Sequence, residues 1–466
     1  MPPIHTVPPE VLLNIFSQGI TDAEYVSATH HAAPWVLTQV CRDWRRLAVV
    51  AHELWCSFAL DTERMNDSLV QMMSTWISRS GNLPLAVSLS MTFDEEGWLD
   101  EVACRSAFAI LVQYASRWKD IDFTWLGHDT CPRIDALGQG LISTPLLESF
   151  CMDTMLISNG VHSPRIEAYI SRVLHDAPQL RTFMWYDEHI KRRHEVNWQH
   201  LTLPGALLCT LNLECDLSPE EIVGLLAQCP VLDSADFCVA IPFNVLCGTP
   251  QPFTHATLRD LSIKFCDQIR PLFDLLALPA LRDLRLQDYS ADETVQWQHV
   301  AFQNFLQRSG CELLCLSMVL WVNFTQESLL HTLEKLPSLE YFSLHDQKRD
   351  PPGCVGNELL LQLCWNTGPD GGFRLCPNLQ GFALIGVFGA PITPGLLPSV
   401  IYSRRCHFPP GVGKMHASNS ADLWVALESA HLPTQDILLL RIWQRQGWLR
   451  VDFDSAYGED IEMAGW

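Results

Sequence analysis

The chain has 466 residues, 48% of them hydrophobic and 18% charged, and carries a net charge of −22. Such a length and apolar content allow roughly two to four domains, or one long repeat array, and exclude wholesale disorder. The acidic balance opposes binding to phosphate backbones, so nucleic acid is not an expected partner, and no apolar run of about 18 residues predicts a membrane span.

At the start, Pro2, Pro3 and Pro8 stand where a signal peptide would need a basic segment and an apolar run, so none is expected. The 17 cysteines fall mostly inside apolar runs such as Leu207-Leu208-Cys209 and Leu363-Cys364-Trp365. That is the pattern of reduced thiols packing as small hydrophobes, and it points to the cytoplasm or the nucleus.

The first predicted helix opens at the Pro8-Pro9 pair, where a missing N–H costs nothing. Glu10 suits the positive end of its dipole. Val11, Leu12, Ile15 and Phe16 form one apolar face. A polar gap, Thr21 to His31, follows. Pro34 opens a second predicted helix, with Leu37, Val40, Cys41, Trp44, Leu47 and Ala48 on one stripe and Arg42, Arg45 and Arg46 opposite. Leu54-Trp55 leads into the apolar run Cys56 to Leu60, and a helical stretch spans about Leu69 to Ser80.

From Leu85-x-Val87-x-Leu89 onward the period changes to that of strands. The pattern apolar-x-x-apolar-x-apolar then recurs at Trp118, Leu147, Leu180, Leu208, Leu232, Leu258, Leu281, Leu313, Leu339 and Leu379, at steps of 23 to 40 residues. Proline stands two residues before the first apolar position in six copies: Pro145, Pro178, Pro230, Pro279, Pro337 and Pro377. It cannot continue a helix and biases its neighbour toward extended backbone, so it marks a helix-to-strand turn. Helical stretches such as Pro219 to Leu226 and Gln326 to Leu330 lie between copies. Residues 61–466 therefore read as an irregular strand-plus-helix solenoid, with parallel strands on the concave side of a horseshoe and helices outside. The repeats fade after about residue 390, where Leu438-Leu439-Leu440 and Leu449-x-Val451-x-Phe453 suggest a terminal copy or a cap.

Val7-Pro8-x-Glu10-Val11-Leu12-x-x-Ile15-Phe16, then Val40-Cys41-Arg42-x-Trp44, then Leu54-Trp55, resembles the F-box motif. It is most similar to the F-box-like form of large families in mushroom-type fungi, where Arg79-Ser80-Gly81-Asn82-Leu83-Pro84-Leu85 also finds a counterpart. The likeness covers roughly residues 4–60, and a leucine-rich-repeat likeness covers most of the rest. It departs from the usual pattern at Val7, where leucine is common, and in a long spacer containing His30-His31-Ala32-Ala33. The fold it implies is α+β: a small N-terminal helical F-box, residues 1–60, followed by an α/β leucine-rich-repeat-like solenoid, residues 61–466.

The function it implies is that of a substrate receptor of an SCF-type cullin-RING ubiquitin ligase. The F-box would bind a Skp-type adaptor and the repeats an unidentified target protein. By motif match, Pro8, Val11, Leu12, Ile15, Phe16, Val40, Cys41, Trp44 and Trp55 would make the adaptor contact or shape its surface. Sequence physics alone leaves a second possibility open: the two helices cap the end of a repeat scaffold that is no ligase subunit. Apolar side chains left in water cost about 25 cal/mol per Å², so either a partner or the repeats should cover them.

Residues between the buried apolar positions of each copy point to the opposite, concave face. This selects Tyr186, Glu214, Asp236, Asp260, Lys264, Asp283, Arg285, Gln287, Tyr341 and His345 as candidate target contacts, and a basic or mixed-charge segment as partner. Cys315, Ser317, Val319, Gly381, Ala383 and Ile385 form a more apolar patch suited to a covering loop.

No catalytic, metal or cofactor site is expected. His194 and His200 lie six apart, whereas a helical zinc pair needs four. Cys311 and Cys315 lack a second pair at metal-site spacing, and Gly368 to Gly372 lacks the Lys-Ser/Thr of a phosphate loop. Lys191-Arg192-Arg193 reads as a solvated run.

Overall fold

The computed structural model describes residues 7–20, 25–28, 31–62, 66–92, 101–126, 142–155, 171–186, 203–239, 251–266, 268–289, 297–320, 324–346, 353–366, 371–388, 391–406, 423–427, 432–446 and 449–453. Lys191-Arg192-Arg193, His194 and His200 lie outside them. The chain forms two compact units, Met1–Leu217 with Gly224–Cys238, and Ser218–Val223 with Val239–Trp466.

In the first unit, helices α1 (Pro9–Gln18), α2 (Leu37–Val40) and α3 (Arg42–Val50) precede a 3-10 turn, His52–Trp55. Strand β1 (Ser57–Thr62) follows, then α4 (Asp67–Arg79), β2 (Leu85–Thr92), α5 (Glu101–Gln113) and β3 (Trp118–Leu126). The sheet continues with β4 (Ser149–Met155), β5 (Thr182–Tyr186), β6 (Thr210–Leu217) and β7 (Ser234–Val239); α6 (Pro219–Gln228), between the last two in sequence, is divided between the two units at Gly224. The strands β1 to β6 pair in chain order, each parallel to the next. Parallel neighbours need crossovers, which α4 and α5 supply between the first three.

The second unit repeats the scheme. The short strands β8 (Phe253–Thr254) and β10 (Leu276–Ala277) pair with each other, as do β14 (Trp365–Asn366) and β15 (Gly372–Phe373). The main strands are β9 (Asp260–Phe265), β11 (Asp283–Asp288), β12 (Cys315–Leu320), β13 (Tyr341–Asp346), β16 (Gly381–Ile385), β17 (Leu423–Leu427) and β18 (Leu449–Phe453). They pair in that order, all parallel. The helices are α7 (Arg270–Leu275), α8 (His299–Ser309), α9 (Gln326–Glu334), α10 (Asn357–Leu363), α11 (Leu396–Cys406) and α12 (Thr434–Arg445). The architecture is thus α+β, a parallel sheet flanked by helices in each unit.

All six prolines act alike. Each sits second in a tight turn whose fourth residue donates back to the first: Leu147 to Thr144, Leu180 to Ala177, Leu232 to Cys229, Leu281 to Leu278, Leu339 to Leu336 and Leu379 to Cys376, at 3.0 to 3.2 Å. Proline's fixed φ suits that second position. The leucine closing each turn is buried and stands two residues before the next strand. Along the strands burial alternates, as with Phe183 and Trp185, Leu211 and Leu213, or Leu284 and Leu286 turned inward. Phe123, Phe150 and Phe183 pass ring contacts across β3, β4 and β5 at 6.3 and 6.2 Å.

Helix ends are closed by side chains. Asn66 accepts from Ser68 N and Leu69 N at the start of α4. Ser218 and Glu221 cap α6 reciprocally. Gly310 ends α8 in the left-handed region at φ +58°, where glycine is unstrained. Arginines close two other ends from the following repeat, Arg308 donating to Leu276 O and Arg404 to Leu363 O, while Arg117 donates to Leu83 O in the turn after α4. Arg404 is fully buried and also donates to Leu375 O and Cys376 O. Burial lowers its guanidinium to about 10, partly offset by the nearby cysteines.

Three features differ from the sequence reading. The second N-terminal helix is two: Cys41 takes an extended conformation, φ −154° and ψ 174°, and its thiol accepts from Trp44 N at 3.4 Å, restarting the chain as α3. The ladder continues past residue 390, with β17 as a strand the pattern missed, β18 on the predicted Leu449-x-Val451-x-Phe453, and Leu438 to Leu440 on α12. The boundary at residue 60 falls inside β1, which pairs with β2 through Thr62. Among the described residues no helix is long and apolar enough to cross a membrane.

Candidate functional site

The N-terminal helices sort their apolar side chains into two sets. On α1, Leu12 and Phe16 are turned inward, 6% and 3% exposed. Val11 and Ile15, one position earlier in each turn, remain 45% and 54% exposed. Val40, on α2, is 55% exposed. Pro8 caps α1 from the exposed side, while Cys41 and Trp44 are half-buried. The Trp44 ring lies 4.8 Å from that of Phe16 and joins α3 to α1. Trp55 is fully enclosed; its indole donates to Ala48 O at 2.7 Å. Of the nine residues selected by motif, Pro8, Val11, Ile15 and Val40 face solvent. Cys41 and Trp44 lie at the margin, and Leu12, Phe16 and Trp55 hold the helices from within. Arg45 donates to Thr38 O at 2.6 Å, which stitches α3 to α2.

On the first unit's sheet, register aligns the outward side chains in rows. One row is Ser88, Asp122, Cys151, Met184 and Asn212; the next is Ser90, Thr124, Asp153, Tyr186 and Glu214. Tyr186 donates to Met184 Sδ at 3.3 Å and accepts from Asn212 Nδ2 at 3.1 Å. Burial, then the neighbouring Cys151 thiol and the Glu214, Asp236 and Asp153 carboxylates, push its phenol far above the usual range. Tyr186, Glu214 and Asp236 are therefore neighbours, as selected. Asp120, Asp122 and Asp153 belong with them; the same alternation applied to the Trp118 and Leu147 copies would have named them.

The second unit's face is mixed in charge. Asp260, Asp283, Cys315 and Tyr341 align in one row, Ser262, Arg285, Ser317 and Ser343 in the next, and Lys264, Gln287, Val319 and His345 in a third. Arg285 bridges Asp260 and Asp283, each at 3.5 Å. Burial raises Asp283, against the Arg285 charge. Burial and the Asp283 carboxylate push Cys315 up to about 12. Tyr341 donates to Gln380 Oε1 at 3.3 Å, and burial lifts it to about 12. The apolar patch divides: Gly381, Ala383 and Ile385 are buried in β16, whereas Cys315, Ser317 and Val319 stay half-exposed.

A nucleophilic cysteine needs its thiolate, and burial beside carboxylates keeps Cys151 and Cys315 protonated. Among the described residues no three His, Cys, Asp or Glu side chains are grouped to hold a metal ion. Compared with known proteins, the chain matches no family model, and no curated protein is similar to it.

Proposed function

We propose that the chain is the substrate-recognition subunit of an SCF-type cullin-RING ubiquitin ligase, acting in the cytoplasm or nucleus. Its F-box-like end takes a Skp-type adaptor, and the irregular leucine-rich-repeat-like solenoid behind it takes a target protein. The observation that carries this reading is the set Val11, Ile15 and Val40, left in water on helices whose other faces are anchored. Exposed aliphatic side chains on a rigid support gain most from a partner that covers them. The chain contributes proximity: the transfer chemistry belongs to the ligase's conjugating partner, and holding two proteins together raises the effective concentration of the reacting groups. On the sheet faces, Tyr186, Glu214 and Asp236 in the first unit, and Asp260, Lys264, Asp283, Arg285, Tyr341 and His345 in the second, are the proposed target contacts.

A second reading is a repeat scaffold outside any ligase, with the helical end as a cap. It is favoured by Val26 and Ala28, which pair with Ala59 and cover the edge of β1. Co-purification separates the two. The ligase reading expects the intact chain to capture a Skp-type adaptor, and Ile15→Asp to abolish capture with an unchanged circular dichroism spectrum. An intact chain that captures no adaptor, where another F-box protein does, leaves the cap.

A further inference from the structure

The segment between α1 and α2 looks in sequence like a loose spacer, yet residues 25–28 lie on the sheet. Ala59 N donates to Val26 O at 2.7 Å, and Ala28 N to Ala59 O at 2.8 Å, so Val26 to Ala28 add a short parallel edge to β1. Val26 and Ala28 are buried. Tyr25 reaches two strands further, to β3, and its hydroxyl donates to Asp120 Oδ1 at 3.0 Å.

Three tryptophans form a box that meets β1 at Phe58, whose ring lies 5.7 Å from that of Trp76. Trp35 stands just before α2, Trp55 ends the 3-10 turn, and Trp76 comes from α4. Their rings meet at 5.2 to 6.3 Å, mostly edge to face. The Arg79 guanidinium, one turn after Trp76, enters the box 4.7 Å from the Trp35 centroid and 4.5 Å from that of Trp55. Its Nη1 and the Trp76 Nε1 are enclosed with no hydrogen-bond acceptor. The ring faces, not hydrogen bonds, therefore hold this end of the cation. Arg79 is also gripped by its backbone, since His52 Nδ1 donates to Arg79 O at 2.6 Å. The His52 ring then lies where a Cβ on Gly81 would be crowded at 3.1 Å, and Gly81 has φ +60°. A side chain there would be strained and would press on His52.

We propose that Arg79 and the 25–28 edge form a rigid joint that fixes the N-terminal helices to the first strands, so that the two open and close as one cooperative body. The joint ties residues 25–28 and Trp35 to residues 52–59 and 76–81 through different kinds of interaction. A docking face carried by α1 and α2 then has a set orientation relative to β1 to β3, and cannot swing as a tethered arm. The joint does not depend on which partner the helices take.

Hydrogen exchange on the intact chain, without any partner, tests it. Amides of α1, α3, β1 and β2 are expected to share one opening free energy and one denaturant dependence. Arg79→Ala should speed exchange in all four together by about tenfold, the factor that a lost desolvated cation–π contact carries, with β5 unchanged. Arg79→Lys, which keeps a cation in the box, should recover part of that protection. Helices that exchange far faster than β1 and β2 in the native chain, or an Arg79→Ala effect confined to α4, would overturn the joint. If Arg79→Ala fails to fold, Tyr25→Phe gives the same discrimination: faster exchange spreading from 25–28 into α1 and β1 supports the joint, and an effect confined to 25–28 contradicts it.

Discussion

The N-terminal helices and the sheets treat the same hydrophobic residues differently. Along β5, β6, β9 and β11 every second side chain is buried, and the outward ones are polar, charged or weakly amphipathic. On α1 and α2, Leu12 and Phe16 are buried but Val11, Ile15 and Val40 are not. A strand has two faces, and the sequence can dedicate one to water. A helix at the end of the sheet has a wider apolar stripe than its neighbours can cover. In the proposed function, that surplus is the face that meets a constant partner, while the polar strand faces vary with the target.

This contrast can be broken residue by residue. Phe16→Ala should destabilise the chain by about 3–5 kcal/mol, the usual cost of emptying a core aromatic site. Ile15→Ala should change stability by under about 0.5 kcal/mol, as at an exposed site. Urea unfolding of the two variants checks both, and similar losses would mean that α1 is covered on both sides. In the second unit, Arg404→Leu should cost about 2–4 kcal/mol, because three buried carbonyls lose their donor; thermal unfolding measures it.

Smaller effects sharpen the contrast on the sheet side. Arg285→Ala should cost under about 1 kcal/mol, since its bridges are long and partly exposed. It should also raise the Asp283 pKa, because the Arg285 charge opposes the upward pull of burial; a carboxyl titration by NMR reads that directly. On the helical side of the second unit, His299 stacks on His331 at 6.0 Å. Burial first, then the His331 charge, lower its pKa, while Glu327 raises it. A base with a lowered folded pKa contributes stability above its unfolded pKa and loses it as pH falls toward the folded value. His299→Gln should therefore flatten the loss of stability between about pH 7 and pH 5, and an unchanged slope would show that the pKa of the ring is the same folded and unfolded.

The repeat was legible because it is periodic. Proline before each closing leucine has one physical role, and ten copies of the same spacing leave little freedom in register. The helical end was less legible. Val11, Leu12, Ile15 and Phe16 form one stripe in sequence, and nothing local tells which edge of it the 3-10 turn and α3 will cover. Cys41 breaks a helical pattern by capping through its thiol, an acceptor too weak to be expected there. Val26 to Ala28 are too few for alternation to register, so their pairing with β1 had no signal. Asp120, Asp122 and Asp153 did have one, the same alternation that selected Tyr186 and Glu214.

The central claim is that the apolar surplus of α1 and α2 is a docking face. Calorimetric titration of the purified, intact chain with a Skp-type adaptor tests it most directly. The account predicts saturable binding with a negative heat-capacity change. It also predicts a loss of at least about a hundredfold in affinity for Ile15→Asp, a desolvated anchor replaced by a charge, with Asp153→Ala unchanged. Absence of binding by the native chain, or equal affinity for Ile15→Asp, would contradict it.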